Sequence, residues 1–460
     1  MAESSYDCIV IGSGPGGYVA AIRAAQLGMR TAVVESDKIG GRCLNYACIP
    51  AKAVLRVADV LGEVRGAGDF GITVAEPQVD FAAVVERRGK VVKTLTGGVA
   101  GLLKKNAIDV IDGHGSVTDE GNVKIGGNFD GLEIAATTLI LATGSVKKPL
   151  PGTQFGGRVI GTEEAWALQE LPATLAVVGA GASGTEIASA YARLGSDVTL
   201  YEGLDRVLPT EDADISKLAD RGFKKQGITV RTGVFVEDVR SGDDGVTFTV
   251  AGEPAQAEWL VIAAGRAPDT EGLGLEEAGI TLTDGGLIAV DGALRTSLAG
   301  VYAIGDLVPG PALAHKASDE GIIAVEDAAG LETHPIEYVD IPRATFCYPN
   351  VGSFGLTEQQ ARDAGHDVVV GKLAFGAVGA GTVYGDRTGL VKIVGDRTYG
   401  ELLGGHIVGT RATELIQELV NVRALEGGFG EVAHIVHGHP TLSEAVMEAA
   451  RDADGWLIHG

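Results

Sequence analysis

Asp7-Cys-Ile-Val-Ile-Gly12-Ser-Gly14-Pro-Gly-Gly17 decides how the rest of the chain is read. Asp7 to Gly12 predicts a short buried strand, and Gly12-x-Gly14-x-x-Gly17 predicts the turn that carries it into an alanine-rich helical run, Tyr18 to Leu27. The first glycine permits the tight turn, the second lets the backbone approach a pyrophosphate, and the third lets helix and strand pack closely. Free N–H groups at the helix start then face the anion. A second apolar strand, Thr31 to Val34, ends at Glu35, a carboxylate suited to accept hydrogen bonds from a ribose diol.

The same construction recurs in mid-chain. Leu175-Ala-Val-Val-Gly179 leads into Gly179-x-Gly181-x-x-Gly184 and a helical run from Thr185 to Leu194, and Glu202 closes the following strand. Glu35 stands 18 positions after Gly17, and Glu202 stands 18 positions after Gly184. A single glycine pattern is weak, because such turns are common. Two copies with the full strand context and one acid spacing point to two dinucleotide sites. One cofactor must stay bound while the other comes and goes, which suits FAD and a nicotinamide. A carboxylate at Glu202 repels a 2′-phosphate that an arginine would welcome, so NAD is expected rather than NADP.

With 460 residues the chain exceeds one hydrophobic core, and abundant glycine with few aromatic residues suits an α/β fold. The excess of 61 Asp+Glu over 37 Lys+Arg argues against a nucleic-acid or anionic membrane partner. No stretch has the ~18 uncharged apolar residues that span a bilayer, and the opening residues lack a leader pattern, so cytoplasmic residence is expected. Four cysteines in so long a chain do not make a stapling framework. A disulfide formed in a reducing compartment is more often catalytic than structural.

Two of those cysteines stand in Gly40-Gly-Arg-Cys43-Leu-Asn-Tyr-Ala-Cys48-Ile-Pro-Ala-Lys52. Five positions along an ideal helix means a rise of roughly 7.5 Å and an offset of about 140°. A disulfide needs Cα atoms about 4.4–6.8 Å apart, so the segment must leave regular helix geometry if the two sulfurs bond.

This motif resembles the GGTCLNxGCIPSK thiol motif of the pyridine nucleotide-disulfide oxidoreductases, and the resemblance extends along the chain. It implies two Rossmann-like domains, for FAD and NAD, and a C-terminal α+β dimerisation domain. The expected boundaries are 1–148 and 269–337 for the two FAD-domain segments, 149–268 for the NAD domain and 338–460 for the interface domain. It also implies a redox disulfide in which Cys43 exchanges with a substrate dithiol and Cys48 lies nearest the flavin. Lys52 is expected near the reactive edge of the ring, paired with Glu186. Ala142-Thr143-Gly144-Ser145 and Thr296 to Asp306 resemble the family's FAD-binding turns, with Asp306 on the ribityl chain. Gly115 and Ala314, the latter in Leu313-Ala-His-Lys-Ala317, fall among the family's cofactor contacts, and Gly265-Arg266 resembles the end of the NAD unit.

Thiol exchange requires a thiolate, hence a base. His437-Gly-His439-Pro-Thr-Leu-Ser-Glu444 carries a bland reading, in which Thr441-x-x-Glu444 caps the helical run Ala445 to Ala450. It also resembles the family's catalytic signature, in which His439 is the base and Glu444 orients it. That implies a homodimer with each His–Glu pair facing the other subunit's thiols. The implied partner is a lipoyl-carrying protein of a 2-oxo-acid dehydrogenase or glycine-cleavage-type complex. Members that reduce glutathione would favour an arginine where Glu202 stands, and those that reduce mercury would need thiols after Cys347, where there are none. Cys8 and Cys347 read as packing residues, and the remaining histidines show no metal-ligand spacing. Another disulfide substrate, or an inactive scaffold, is the alternative; a scaffold has no need of both cysteines and the His–Glu pair. Arg42, Tyr46, Ala47 and Ala51 depart from the motif, which predicts a shifted flavin potential or carrier preference.

Overall fold

The computed structural model describes residues 5–126 and 131–460, so the opening residues 1–4 of the leader reading lie outside it. By its contacts the chain forms two compact units. The first comprises 1–53, 83–148 and 265–338, and the second 54–82, 149–264 and 339–460.

The first unit is built on a five-stranded parallel sheet. Its order is Val301–Ala303, Ala136–Leu141, Tyr6–Ile11, Thr31–Glu35 and Asp109–Asp112. Cys8, Ile9 and Val10 in its central strand are fully buried, as in parallel sheets covered on both faces. Burying each aliphatic side chain contributes roughly 1.5–3 kcal/mol. The helix Pro15–Gln26 starts three residues before the sequence reading places it. Gly14 is extended at its N-cap and Pro15 takes the first turn, where a missing N–H costs nothing. That helix crosses Ala314–Ala328 through small residues: a Cβ on Gly16 would lie 2.9 Å from the Ala317 carbonyl, and one on Gly321 2.7 Å from the Gly16 carbonyl. The strand Val301–Ala303 therefore returns a distant segment to the sheet that carries the first glycine turn.

The second unit repeats the plan. Its parallel sheet runs Thr229–Thr232, Asp197–Glu202, Thr174–Val178, Trp259–Ile262 and Val159–Gly161. The helix Ala182–Leu194 follows the second glycine turn. The same unit holds a five-stranded antiparallel sheet, ordered Arg343–Thr345, Val351–Gly355, Leu402–Val408, Leu390–Asp396 and Val368–Ala374. The helix Ser443–Ala453 lies so close to its edge strand that a Cβ on Gly371 would sit 1.9 Å from the Ala449 carbonyl. No helix among the described residues is long and apolar enough to cross a membrane.

Candidate active site

The two glycine turns have the same internal geometry. Gly12 and Gly179 adopt φ +98° and +100°, and a Cβ on either would strike the neighbouring strand, 2.5 Å from the Ala142 carbonyl or 2.7 Å from the Ala263 carbonyl. Gly17 and Gly184 press on the turn itself, where a Cβ would lie 1.9 Å from the Gly12 oxygen or 1.8 Å from the Gly179 oxygen. Gly14 and Gly181, by contrast, face open space in both copies. A cradle closed everywhere except at the second glycine fits a pyrophosphate there.

Each closing acid is already engaged by its own turn. Glu35 accepts the Ser13 N–H at 2.8 Å, the Ser13 hydroxyl at 2.6 Å and the Asp37 N–H at 2.9 Å. Glu202 accepts the Ala180 N–H at 2.6 Å and the Leu204 N–H at 2.9 Å. These bonds hold both carboxylates in fixed orientation at the strand ends.

The thiol segment departs from a regular helix as the disulfide argument requires. Gly40, at φ +93°, admits a short helix Gly41–Asn45, which breaks at Tyr46 before the helix Cys48–Arg65 begins. The break brings the Cys43 and Cys48 side chains into a shared hydrogen bond, and both are free thiols. That bond, then burial, pushes the Cys43 thiol well up, while Lys52 and Arg42 pull it down. A Cβ on Gly41 would meet the Gly14 Cα at 2.7 Å, so the thiol helix starts against the first dinucleotide turn.

The departures from the usual thiol motif have local accounts. Ala47 is outside the left-handed backbone region, so its methyl brings no strain, and Ala51 is buried. Tyr46 donates its hydroxyl to Asp37 at 2.6 Å, and Lys38 lies over its ring at 4.8 Å. Because Asp37 also bonds Glu35, Tyr46 ties the thiol break to the acid that closes the first unit's second strand. Tyr46→Phe is expected to cost at most about 1 kcal/mol, as an exposed bond should. Thermal denaturation of the holoprotein checks this; a loss above about 3 kcal/mol would mean that the hydroxyl does more.

The remaining first-unit candidates cluster on the same sheet ends. Thr143 donates its hydroxyl to the Asp269 carbonyl at 2.6 Å, and Gly144, at φ +85°, accepts the Asp269 N–H at 2.9 Å. Asp306 accepts a hydrogen bond from the Ser145 hydroxyl, which in turn accepts Arg266 Nε at 2.8 Å. Gly265 adopts φ +138°, and its carbonyl accepts the Lys148 N–H. Gly115 lies in the strand His114–Val117, where a Cβ would press on Ile11 at 3.1 Å. Ala314 opens the helix Ala314–Ala328. That helix also supplies a group the sequence reading missed. Buried Lys316 donates to the Gly305 carbonyl at 2.8 Å and pairs with Glu320 at 3.1 Å, while Glu320 accepts the Gly305 N–H at 2.7 Å. Burial raises the Glu320 carboxyl, with Lys316 opposing. The pair clamps the turn bearing Asp306; its only sequence signal is a Lys and Glu four residues apart.

In the second unit, His439 Nδ1 lies 2.9 Å from Glu444, whose other oxygen accepts the Thr441 N–H at 2.8 Å. Burial raises the Glu444 carboxyl, but the Thr441 N–H and His439 outweigh it and hold it below its ordinary value. Glu444 thus serves both readings. The capping box itself does not form: the Thr441 hydroxyl bonds Gly438, and the helix begins at Ser443. Only one of the two motif histidines is available. The His439 side chain is 75% exposed, whereas His437 is 5% exposed and bonded to Glu418. Glu186, in the helix Ala182–Leu194, accepts the Phe346 N–H at 2.9 Å. Cys8 and Cys347 are fully buried, and burial pushes the Cys8 thiol up to about 12.

Comparison with known proteins agrees in kind. The family model described as pyridine nucleotide-disulphide oxidoreductase matches residues 6–321, and that family's dimerisation domain matches 341–450. Dihydrolipoyl dehydrogenase of Mycobacterium tuberculosis is 44% identical, with 99% of each chain covered. Dihydrolipoyl dehydrogenase of Bacillus subtilis is 41% identical, again over 99% of each. Among solved structures, LpdA of Mycobacterium tuberculosis superposes with a TM-score of 0.90 at 29% identity, covering 96% of this chain and 99% of the other.

Proposed function

The chain belongs to the pyridine nucleotide-disulphide oxidoreductase family, and from that premise we propose that it is a dihydrolipoyl dehydrogenase that oxidises a protein-bound dihydrolipoyl dithiol with NAD⁺. The observation that carries this is the pair of free thiols, Cys43 and Cys48, hydrogen-bonded to each other at a helix break that abuts the first dinucleotide turn.

The residues perform the thiol chemistry as follows. His439, oriented by Glu444, takes the proton of the first substrate thiol, and the resulting thiolate attacks Cys43 Sγ of the oxidised pair. The Cys43–Cys48 bond breaks and Cys48 leaves as a thiolate. The second substrate sulfur then attacks the first, closing the substrate disulfide, and Cys43 leaves, taking the proton back from His439. The second substrate proton passes to His439 and on to solvent. Two electrons have moved from substrate to the cysteine pair, leaving Cys43 a thiol and Cys48 a thiolate. FAD, when bound, accepts the electron pair and supplies hydride to NAD⁺.

On this reading the Gly12–Gly17 turn, Glu35, Lys52, Gly115, Thr143, Gly144, Asp306 and Ala314 hold FAD. Gly179, Gly181, Gly184, Glu202 and Gly265 hold NAD, with Glu186 as the partner of Lys52. The functional domains divide at 148, 268 and 337. Two chains form a homodimer through 338–460 and share each site, in a reducing cytoplasm, and the dithiol is carried by a lipoyl protein of a 2-oxo-acid dehydrogenase or glycine-cleavage-type complex.

Steady-state turnover of the holoenzyme tests the assignment. Dihydrolipoamide with NAD⁺ is expected to turn over with ping-pong kinetics, and glutathione disulfide with NADPH at least about 10²-fold more slowly. Lipoylated carrier proteins should separate from free dihydrolipoamide because Arg42 stands beside the exchange thiol. Equal rates on all three substrates would defeat the reading.

A further inference from the structure

One row of side chains runs across the antiparallel sheet of the second unit. Arg343 is in register with Ser353, Ser353 with His406, His406 with Lys392, and Lys392 with Lys372. Residues directly opposite one another project from the same face, so the five form a continuous stripe over five strands.

Acidic groups meet this stripe. The Lys392 ammonium, 2% exposed, lies 2.8 Å from Asp212, 2.9 Å from Asp214 and 2.8 Å from Glu358. Lys372 lies 2.7 Å from Asp214, and Arg343 lies 3.5 Å from Glu211 while donating to Ser353 at 3.0 Å. Asp212 accepts Lys392 and its own helix's Asp214 N–H on one oxygen and the Glu358 N–H on the other. A buried cation among three carboxylates is weak support for stability by itself, because desolvation offsets much of the attraction. Its location calls for another account.

Glu211 and Asp212 end the loop that follows Glu202, and this loop turns back to the second glycine turn. The Leu208 N–H donates to the Ala180 carbonyl at 2.8 Å, and the Leu208 carbonyl accepts the Glu211 N–H at 2.9 Å and the Ser216 hydroxyl at 3.0 Å. Leu208 has φ +46°, a left-handed conformation that persists in a side-chain-bearing residue only where its surroundings impose it. Ala180 in turn donates its N–H to Glu202.

We infer that the stripe is a positioning device for the nicotinamide nucleotide: Lys392 and Arg343 fix Glu211 and Asp212, these hold Leu208 in its strained conformation, and Leu208 sets the turn Gly179–Gly184 and Glu202. Lys392 is a positioning residue that touches no substrate. The inference rests on the second glycine turn being the NAD site.

The test uses holoenzyme and two anaerobic half-reactions followed by flavin absorbance. In Lys392→Met the apparent Kd for NADH in NADH-driven reduction is expected to rise about tenfold, while reduction by dihydrolipoamide keeps its rate and concentration dependence. Lys392→Arg should restore most of the NADH affinity, which a loss of packing would not predict. Should Lys392→Met fail to fold, Asp214→Asn and Arg343→Gln each remove one end of the contact, and each should raise the NADH Kd at least threefold with the dihydrolipoamide arm unchanged. An NADH Kd within twofold of wild type in folded variants, or equal losses in both arms, would overturn the inference while leaving the nucleotide site intact. A wild-type holoenzyme that dihydrolipoamide reduces and NADH does not would instead overturn the site beneath it, and the inference with it.

Discussion

Replacing Cys48 with serine is expected to lower dihydrolipoamide turnover with NAD⁺ on the order of 10³-fold or more, equivalent to about 4 kcal/mol of barrier. The hydroxyl of serine neither forms the redox bond with Cys43 nor leaves as a stabilised anion at neutral pH, so the electron pair has no route from substrate. The loss should be confined to that route. The first glycine turn is closed by Gly12, Gly17 and the Ala142 carbonyl, none of which the substitution changes. Flavin content of the purified variant should therefore match wild type, and NADH should still reduce the bound flavin. Turnover within tenfold of wild type, or a colourless variant beside a yellow parent, would show that Cys48 does not stand where the relay requires.

The thiol pair was legible because its constraint is local: five positions on a helix cannot bring two sulfurs together, so a break had to fall between them, and it falls at Tyr46. The two glycine turns were legible for the same reason, since strand, turn, helix and acid all fit within some thirty residues. What the pattern hid is assembled from far apart. Lys392 reaches Asp212 and Asp214, 180 and 178 residues earlier, only once its strand packs against the start of the helix Ala213–Lys225. Periodicity contains no term for such meetings. The two histidines of His437-Gly-His439 were likewise inseparable in sequence, because what distinguishes them is burial and the bond of His437 to Glu418, 19 residues earlier.

That separation supports the second large effect. His439→Gln is expected to lower turnover by about 10²–10⁴-fold, the range for loss of a general base, while His437→Asn acts on stability. The His437 imidazole is raised by its bond to Glu418 against the opposing effect of burial. A raised folded value means its contribution is full below the unfolded value of about 6.5 and fades as pH climbs through the folded value. His437→Asn should thus destabilise most at mildly acidic pH. Glu444→Gln removes the acceptor at 2.9 Å from His439 and should cost about 10-fold. Co-expression of Cys48→Ser with His439→Gln then asks whether thiols and base come from different chains. If they do, half of randomly assorted dimers are mixed, and each mixed dimer keeps one site with both groups intact, so roughly a quarter of wild-type activity should return. If both groups of a site belong to one chain, every site in the mixture carries one of the two lesions, and activity stays at the level of the single variants.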